Sequence, residues 1–169
     1  MNASHIASGI ILALVLGASV YTDLRYGKIL NKVVLPCVPL GLLIWGLGAG
    51  PAGLAFSLQG MAVASIALAV AATLAWMAPG DAKLILAIGA LKGPAFVGST
   101  MILGALIGGV IGVIILARRR LLGNVATSAA VALGSHLPLS TVWSARAGHM
   151  PYSLAIALGA VAAGLIPLW

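Results

Sequence analysis

The chain has 169 residues, of which 62% are hydrophobic and only 7% are charged, and its formal net charge is +7. A soluble protein of this length needs many more polar residues to cover its surface, so the composition argues against a soluble domain and predicts an integral membrane protein. The basic residues lie between apolar segments, where they set topology and contact lipid head groups, and their pattern argues against nucleic-acid binding.

The apolar segments predict an all-α, polytopic membrane protein with six transmembrane helices, the fourth of them short. A spanning helix needs about 20 mostly apolar residues, and five candidates lie at about residues 5–22, 33–49, 54–77, 95–117 and 150–168. A shorter segment, residues 82–91, would rise only about 15 Å as a helix, so its start should lie near or inside the membrane boundary. We expect residues 1–169 to form one membrane-embedded domain.

The basic residues predict the orientation of these helices. Positive connections tend to be cytoplasmic, and six helices with both ends outside place every basic residue except Lys92 on the cytoplasmic side. Residues 119–149 contain no span and form either a weakly amphipathic interfacial helix or a plain cytoplasmic loop.

The chain has two acidic residues, Asp23 and Asp81, and this topology places both on the cytoplasmic side at similar depth. An aspartate at the centre of a membrane costs at least ~2.5 kcal/mol, so such residues indicate function by default. Two carboxylates about 4 Å apart repel by about 4 kcal/mol at an effective dielectric of about 20, so one is protonated while the other is ionised. The ionised member can activate water against a peptide carbonyl, and the protonated member can stabilise the oxyanion and protonate the leaving amine.

Structural roles are the alternative for each aspartate. Asp81 precedes an apolar run and could cap the N-terminus of a helix, and Asp23 could pair with Arg25 or Lys28 at a helix end. The pair also fits a proton- or ion-coupled transporter, because intramembrane aspartates act as proton relays. The chain has no glutamate and its three histidines are dispersed, so we expect no metal and no cofactor.

The flanks of both aspartates resemble those of the type IV prepilin peptidases, a family of intramembrane aspartyl proteases. That family carries one Asp after the first helix, in a pattern like D-x(5)-I-P-N, and a second in G-x-G-D-x-K at the start of the fourth helix. The counterparts here are "DLRYGKILN" (residues 23–31) and "APGDAKLILAIG" (residues 78–89), which match at Asp23, Ile29, Asn31, Gly80, Asp81, Lys83 and Gly89. Leu30 replaces the usual Pro, and Ala78 replaces the first Gly.

The last apolar segment carries a further resemblance. Its opening, "MPYSLAIALG" (residues 150–159), resembles that of the last helix in the short tight-adherence or Flp-pilus branch. Larger members have a cytoplasmic region with paired cysteines that is linked to N-methylation. This chain has one cysteine, so no methyltransferase or zinc-binding insertion is expected.

The resemblance implies that Asp23 and Asp81 cleave the leader peptide from prepilin or pseudopilin precursors at the cytoplasmic face of the bacterial inner membrane. Asn31, Gly80 and Lys83 are then substrate-binding or supporting residues. Lys83 could orient Asp81, bind a head-group phosphate or meet an acidic residue of the pilin, and Asn31 could order the loop after Asp23. The transporter and a non-catalytic pilus or secretion assembly protein stay open as alternatives.

Overall fold

The computed structural model of the chain describes residues 3–73, 79–118 and 152–166. Five helices account for nearly all of this part: α1 (Ala3–Tyr26), α2 (Asn31–Val34), α3 (Cys37–Thr73), α4 (Pro79–Arg118) and α5 (Tyr152–Leu165). The predicted all-α class is therefore confirmed for the described residues. Residues 119–149, predicted as either an interfacial helix or a cytoplasmic loop, lie outside them, and so does Ala78.

Three stretches are long enough and apolar enough to cross a membrane, namely Ala3–Tyr26, Asn31–Ile66 and Gly80–Ile114, while Ser153–Leu165 is a shorter apolar helix. Large apolar side chains cover the outward faces of these helices. Leu14, Leu47 and Leu165 are 68%, 86% and 77% exposed. Such faces are unfavourable in water and are solvated by lipid. Length and surface together indicate a membrane protein.

The long helix α3 is interrupted at Gly50, which has φ 60° and ψ −142°. This positive φ is open to glycine without steric penalty, and Pro51 follows it at a position where proline suits the start of a helix. A β-carbon added to Gly53 would collide with the carbonyl oxygen of Trp45, although eight residues of continuous helix would separate the two by about 12 Å. The chain therefore turns back on itself at Gly50.

The first part of α4 runs antiparallel to α1. Near the start of α4, a β-carbon added to Gly80 would lie 3.3 Å from Cβ of Ile29, just after the end of α1. Farther along α4, Nζ of Lys92 donates to the carbonyl oxygen of His5, at the beginning of α1, over 3.5 Å. The N-terminus of α4 and the C-terminus of α1 therefore lie at the same end of the molecule.

A second reversal lies at Gly93, which has φ 80° and ψ −176° within α4. Beyond it, a β-carbon added to Gly108 would lie 3.2 Å from Cβ of Ala155 in α5. Ala155 is two residues from Ser153, whose hydroxyl contacts Asp23 near the C-terminus of α1. A straight α4 would carry Gly108 away from that end, so the chain must double back at Gly93.

Side chains from α3 donate hydrogen bonds to the last carbonyl groups of the helix that ends at this second reversal. A helix terminus leaves its last carbonyl groups without intrahelical partners. Here Nε1 of Trp45 donates to the carbonyl oxygen of Leu91 at 2.9 Å, and Oγ of Ser57 donates to that of Ala90 at 2.8 Å. These bonds stabilise a helix end that lipid could not solvate.

The inward face of α1 is a stripe of residues at three- and four-residue spacing, as expected for a packed helix. Its members are Ser8, Leu12, Val15, Leu16, Ser19, Thr22 and Asp23. The stripe becomes more polar toward the C-terminus and ends on a carboxylate, so α1 directs an ionisable group into the bundle.

Candidate active site at the end of the helix bundle

Asp23 lies in the last turn of α1 and is only 5% exposed. The helix closes just beyond it, where the N–H of Gly27 donates to the carbonyl oxygen of Asp23 at 2.8 Å. A carboxylate is disfavoured at a helix C-terminus because the negative end of the macrodipole lies there. Oγ of Ser153, from α5, donates to Oδ2 of Asp23 at 2.5 Å, which stabilises the carboxylate at this position.

Asp81 is the third residue of α4 and is 4% exposed. An N-cap residue precedes the first helical residue, and α4 begins at Pro79, so Asp81 lies inside the first turn and is not the cap. The positive end of the α4 macrodipole favours a carboxylate there. The two aspartates thus occupy opposite helix termini with opposite local fields.

The structure brings both predicted catalytic residues to the same end of the bundle and buries both. Because they are the only acidic residues in the chain, both of its side-chain carboxylates lie at one end of the bundle. Five of the six described basic residues lie at this end as well, and Lys92 lies at the other end. The five are Arg25, Lys28, Lys32, Lys83 and Arg118. The end that carries the aspartates is therefore strongly positive.

Two of the predicted supporting residues contact each other. Nζ of Lys83 donates to Oδ1 of Asn31 at 2.9 Å, joining the first turns of α4 to the start of α2. Gly80 packs against Ile29 in the same region. The connection that follows Asp23 is thereby joined to the helix that carries Asp81.

Leu30 occupies the position where the type IV prepilin peptidases usually have proline. Its backbone adopts φ −76° and ψ 122°. Proline fixes φ near −65°, so this backbone is one that proline could also adopt. The replacement of proline by leucine therefore requires no different course of the chain between Ile29 and Asn31.

Ser153 is a site residue that the sequence analysis missed. It is fully buried, and it is 130 positions away from its partner Asp23. It lies within the motif at residues 150–159, but no spacing pattern relates it to Asp23. Arg25, considered as a partner for Asp23, donates to the hydroxyl of Tyr21.

A metal ion usually requires three or more protein ligands. Within residues 3–73, 79–118 and 152–166, no group of three or more histidine, cysteine or acidic residues could hold one.

The fold and the site together define a class of protein, namely a membrane protein with two buried carboxylates on neighbouring helices. The family model for the type IV leader peptidase family matches residues 10–113 of the chain. The match covers more than half of the sequence and includes Asp23, Asn31, Gly80, Asp81 and Lys83, so the chain belongs to this family. Membership implies a protease that acts on prepilin-type substrates. No curated protein and no solved structure matches the chain.

Proposed function

We propose that this chain is an aspartyl endopeptidase that removes the leader peptide from prepilin or pseudopilin precursors, with Asp23 and Asp81 as its catalytic pair. The observation that carries the proposal is the burial of the chain's only two side-chain carboxylates at one end of a membrane-embedded bundle. Burying two carboxylates together is costly unless one of them holds a proton, and such a shared proton is the device that aspartyl proteolysis uses.

The proposed reaction needs no group beyond the pair and a water molecule. The ionised carboxylate takes a proton from water while the water oxygen bonds to the scissile carbonyl carbon, and the protonated member donates a hydrogen bond to the oxyanion. When the C–N bond breaks, the carboxyl group that was protonated at the start delivers its proton to the leaving amine. The two carboxyl groups have then exchanged roles, and release of one proton to solvent and capture at the other restores the pair.

We place the pair at the cytoplasmic face of the bacterial inner membrane. Support comes from the charge distribution, since five of the six described basic residues lie at the end that carries the aspartates, and positive connections tend to be cytoplasmic. The reversals at Gly50 and Gly93 support six helical passes, namely residues 3–26, 37–49, 51–73, 79–92, 94–118 and 152–165. Over these ranges the second, fourth and sixth passes would each be about 20 Å long, shorter than a hydrocarbon core of about 30 Å.

Three finer assignments are part of the proposal. The chain is one peptidase domain, it has no methyltransferase or zinc-binding insertion, and it belongs to the tight-adherence or Flp-pilus branch. The last assignment is supported by the motif at residues 150–159.

The test of the function is processing of a candidate prepilin in membranes of a host that lacks its own leader peptidase. With the parental protein we expect conversion of the precursor to a shorter product whose new N-terminus begins the hydrophobic helix. If the precursor keeps its leader at all expression levels, cleavage is not the function, and a proton-coupled transporter or an assembly protein is favoured instead.

The contact between Lys83 and Asn31 predicts how these residues act. Lys83→Met and Asn31→Ala should each lower the cleavage rate by at most about 5-fold, because an exposed charged hydrogen bond contributes up to about 1 kcal/mol. The double variant should be no slower than the slower single variant, since both changes break the same bond. The measurement is the initial rate of precursor cleavage for all four proteins.

A multiplicative loss in the double variant would show that Lys83 acts independently of Asn31. In that case an acidic residue of the pilin becomes its expected partner. A pilin in which that acid is replaced by lysine would then be cleaved poorly by the parental protein and better by Lys83→Glu.

A further inference from the structure

The hydroxyl of Ser153 joins the last helix to Asp23 of the proposed catalytic pair, and both residues are buried. The serine lies in the first turn of α5, beyond residues 10–113 that the family model matches. The catalytic pair itself lies entirely on α1 and α4. The match to the family model therefore does not include the hydroxyl that contacts Asp23.

The geometry of this bond suits an ionised acceptor. A hydroxyl that donates to a carboxylate does so over about 2.5–2.7 Å, and the Oγ to Oδ2 distance here is 2.5 Å. The start of α5 also brings the positive end of its macrodipole to this place, where the C-terminus of α1 contributes the negative end of its own. The hydroxyl of Ser153 and the N-terminus of α5 together offset the unfavourable electrostatic field that the C-terminus of α1 exerts on the Asp23 carboxylate.

The bond also restricts rotation of the carboxylate. A carboxylate has two oxygens that accept hydrogen bonds equally well, and rotation about its terminal torsion exchanges them easily. Because Ser153 holds Oδ2, Oδ1 keeps one fixed direction relative to α1. A catalytic group must keep its orientation to within a small angle for proton transfer to be efficient.

We propose that Ser153 is a positioning residue of the peptidase, which orients the Asp23 carboxylate so that Oδ1 is directed at the reacting water. Under this inference α5 completes an active site whose catalytic groups lie on other helices. The inference rests on the proposed function, because it assigns Ser153 a role only in a reaction that uses Asp23.

The test compares Ser153→Ala with Ser57→Ala in the purified protein. Both variants remove one buried serine hydroxyl, and Ser57 bonds to the carbonyl oxygen of Ala90 at the opposite end of the bundle. We expect Ser153→Ala to lower kcat about 10-fold with KM within about 2-fold of the parental value, since a hydrogen bond to a charged group is removed. Ser57→Ala should keep the parental kcat.

Two results would overturn the inference. One is a Ser153→Ala protein with parental kcat, and the other is an equal loss of kcat in both variants, which would indicate a general packing defect. Failure of the proposed function looks different, because either the parental protein would then leave the precursor uncleaved or Asp23→Asn would cleave it at the parental rate. If Asp23→Asn is inactive while Ser153→Ala is not impaired, the inference alone fails.

Discussion

Asp23→Asn and Asp81→Asn should each abolish leader removal while the protein accumulates in membranes at the parental level. An amide has nearly the shape of a carboxylate but neither takes a proton from water nor delivers one to the leaving amine. General acid–base catalysis contributes about 10²- to 10⁴-fold, so a loss of at least about 100-fold is expected for each variant. The measurement is the mobility of the prepilin on a gel over a time course.

The matched control is Lys92→Gln, which neutralises a charged residue at the opposite end of the bundle, where its Nζ contacts His5. It should process the precursor at the parental rate. If either asparagine variant does so as well, the two aspartates are not a catalytic pair. An asparagine variant that is absent from membranes would be replaced by the glutamate variant at the same position, which keeps the acid and should retain measurable cleavage.

Gly60→Ala and Gly89→Ala should each destabilise the protein by about 1–3 kcal/mol, the usual cost of inserting a carbon into a packed interior. Gly60 and Gly89 are in reciprocal contact, because a β-carbon on either would collide with the carbonyl oxygen of the other. The obstacle is backbone, which cannot rotate away as a side chain can. Close approach through small residues is a common basis of helix packing in membranes.

The comparison for these variants is Gly98→Ala, in the part of α4 that follows the reversal at Gly93. No atom lies within 4 Å of a β-carbon added there, so this substitution should be neutral or stabilise by up to about 1 kcal/mol through higher helix propensity. The measurement is the thermal unfolding midpoint of each protein in detergent. Equal midpoints for Gly89→Ala and Gly98→Ala would contradict the packing seen between α3 and α4.

The course of the helices was largely predictable from the sequence. Apolar segments and their lengths follow from the requirement to cross a bilayer, and the breaks at Gly50 and Gly93 lie in the Gly-Pro stretches that separated the predicted segments. The same reasoning predicted that Asp81 would open a short helix, because ten apolar residues are too few to span the hydrocarbon core.

The contacts within the site could not be predicted in the same way. Ser153 meets Asp23 because α5 packs against the second half of α4, and no local pattern encodes which face of a uniformly apolar helix points inward. Lys83 had several chemically reasonable partners, and only the folded chain selects Asn31. Local sequence signals specify where carboxylates occur along the chain, whereas tertiary packing determines what surrounds them.

Thiol cross-linking between the two aspartate positions tests most directly whether they form one site. In a Cys37→Ser background, Asp23→Cys/Asp81→Cys treated with a short bifunctional thiol reagent should give an intrachain cross-linked peptide by mass spectrometry. The control pair Asp23→Cys/Lys92→Cys should not, because the stretch of α1 between Asp23 and His5, beside Lys92, is about 27 Å long. Absence of the cross-link between positions 23 and 81, with both thiols reactive toward a monofunctional reagent, would contradict a shared catalytic pair.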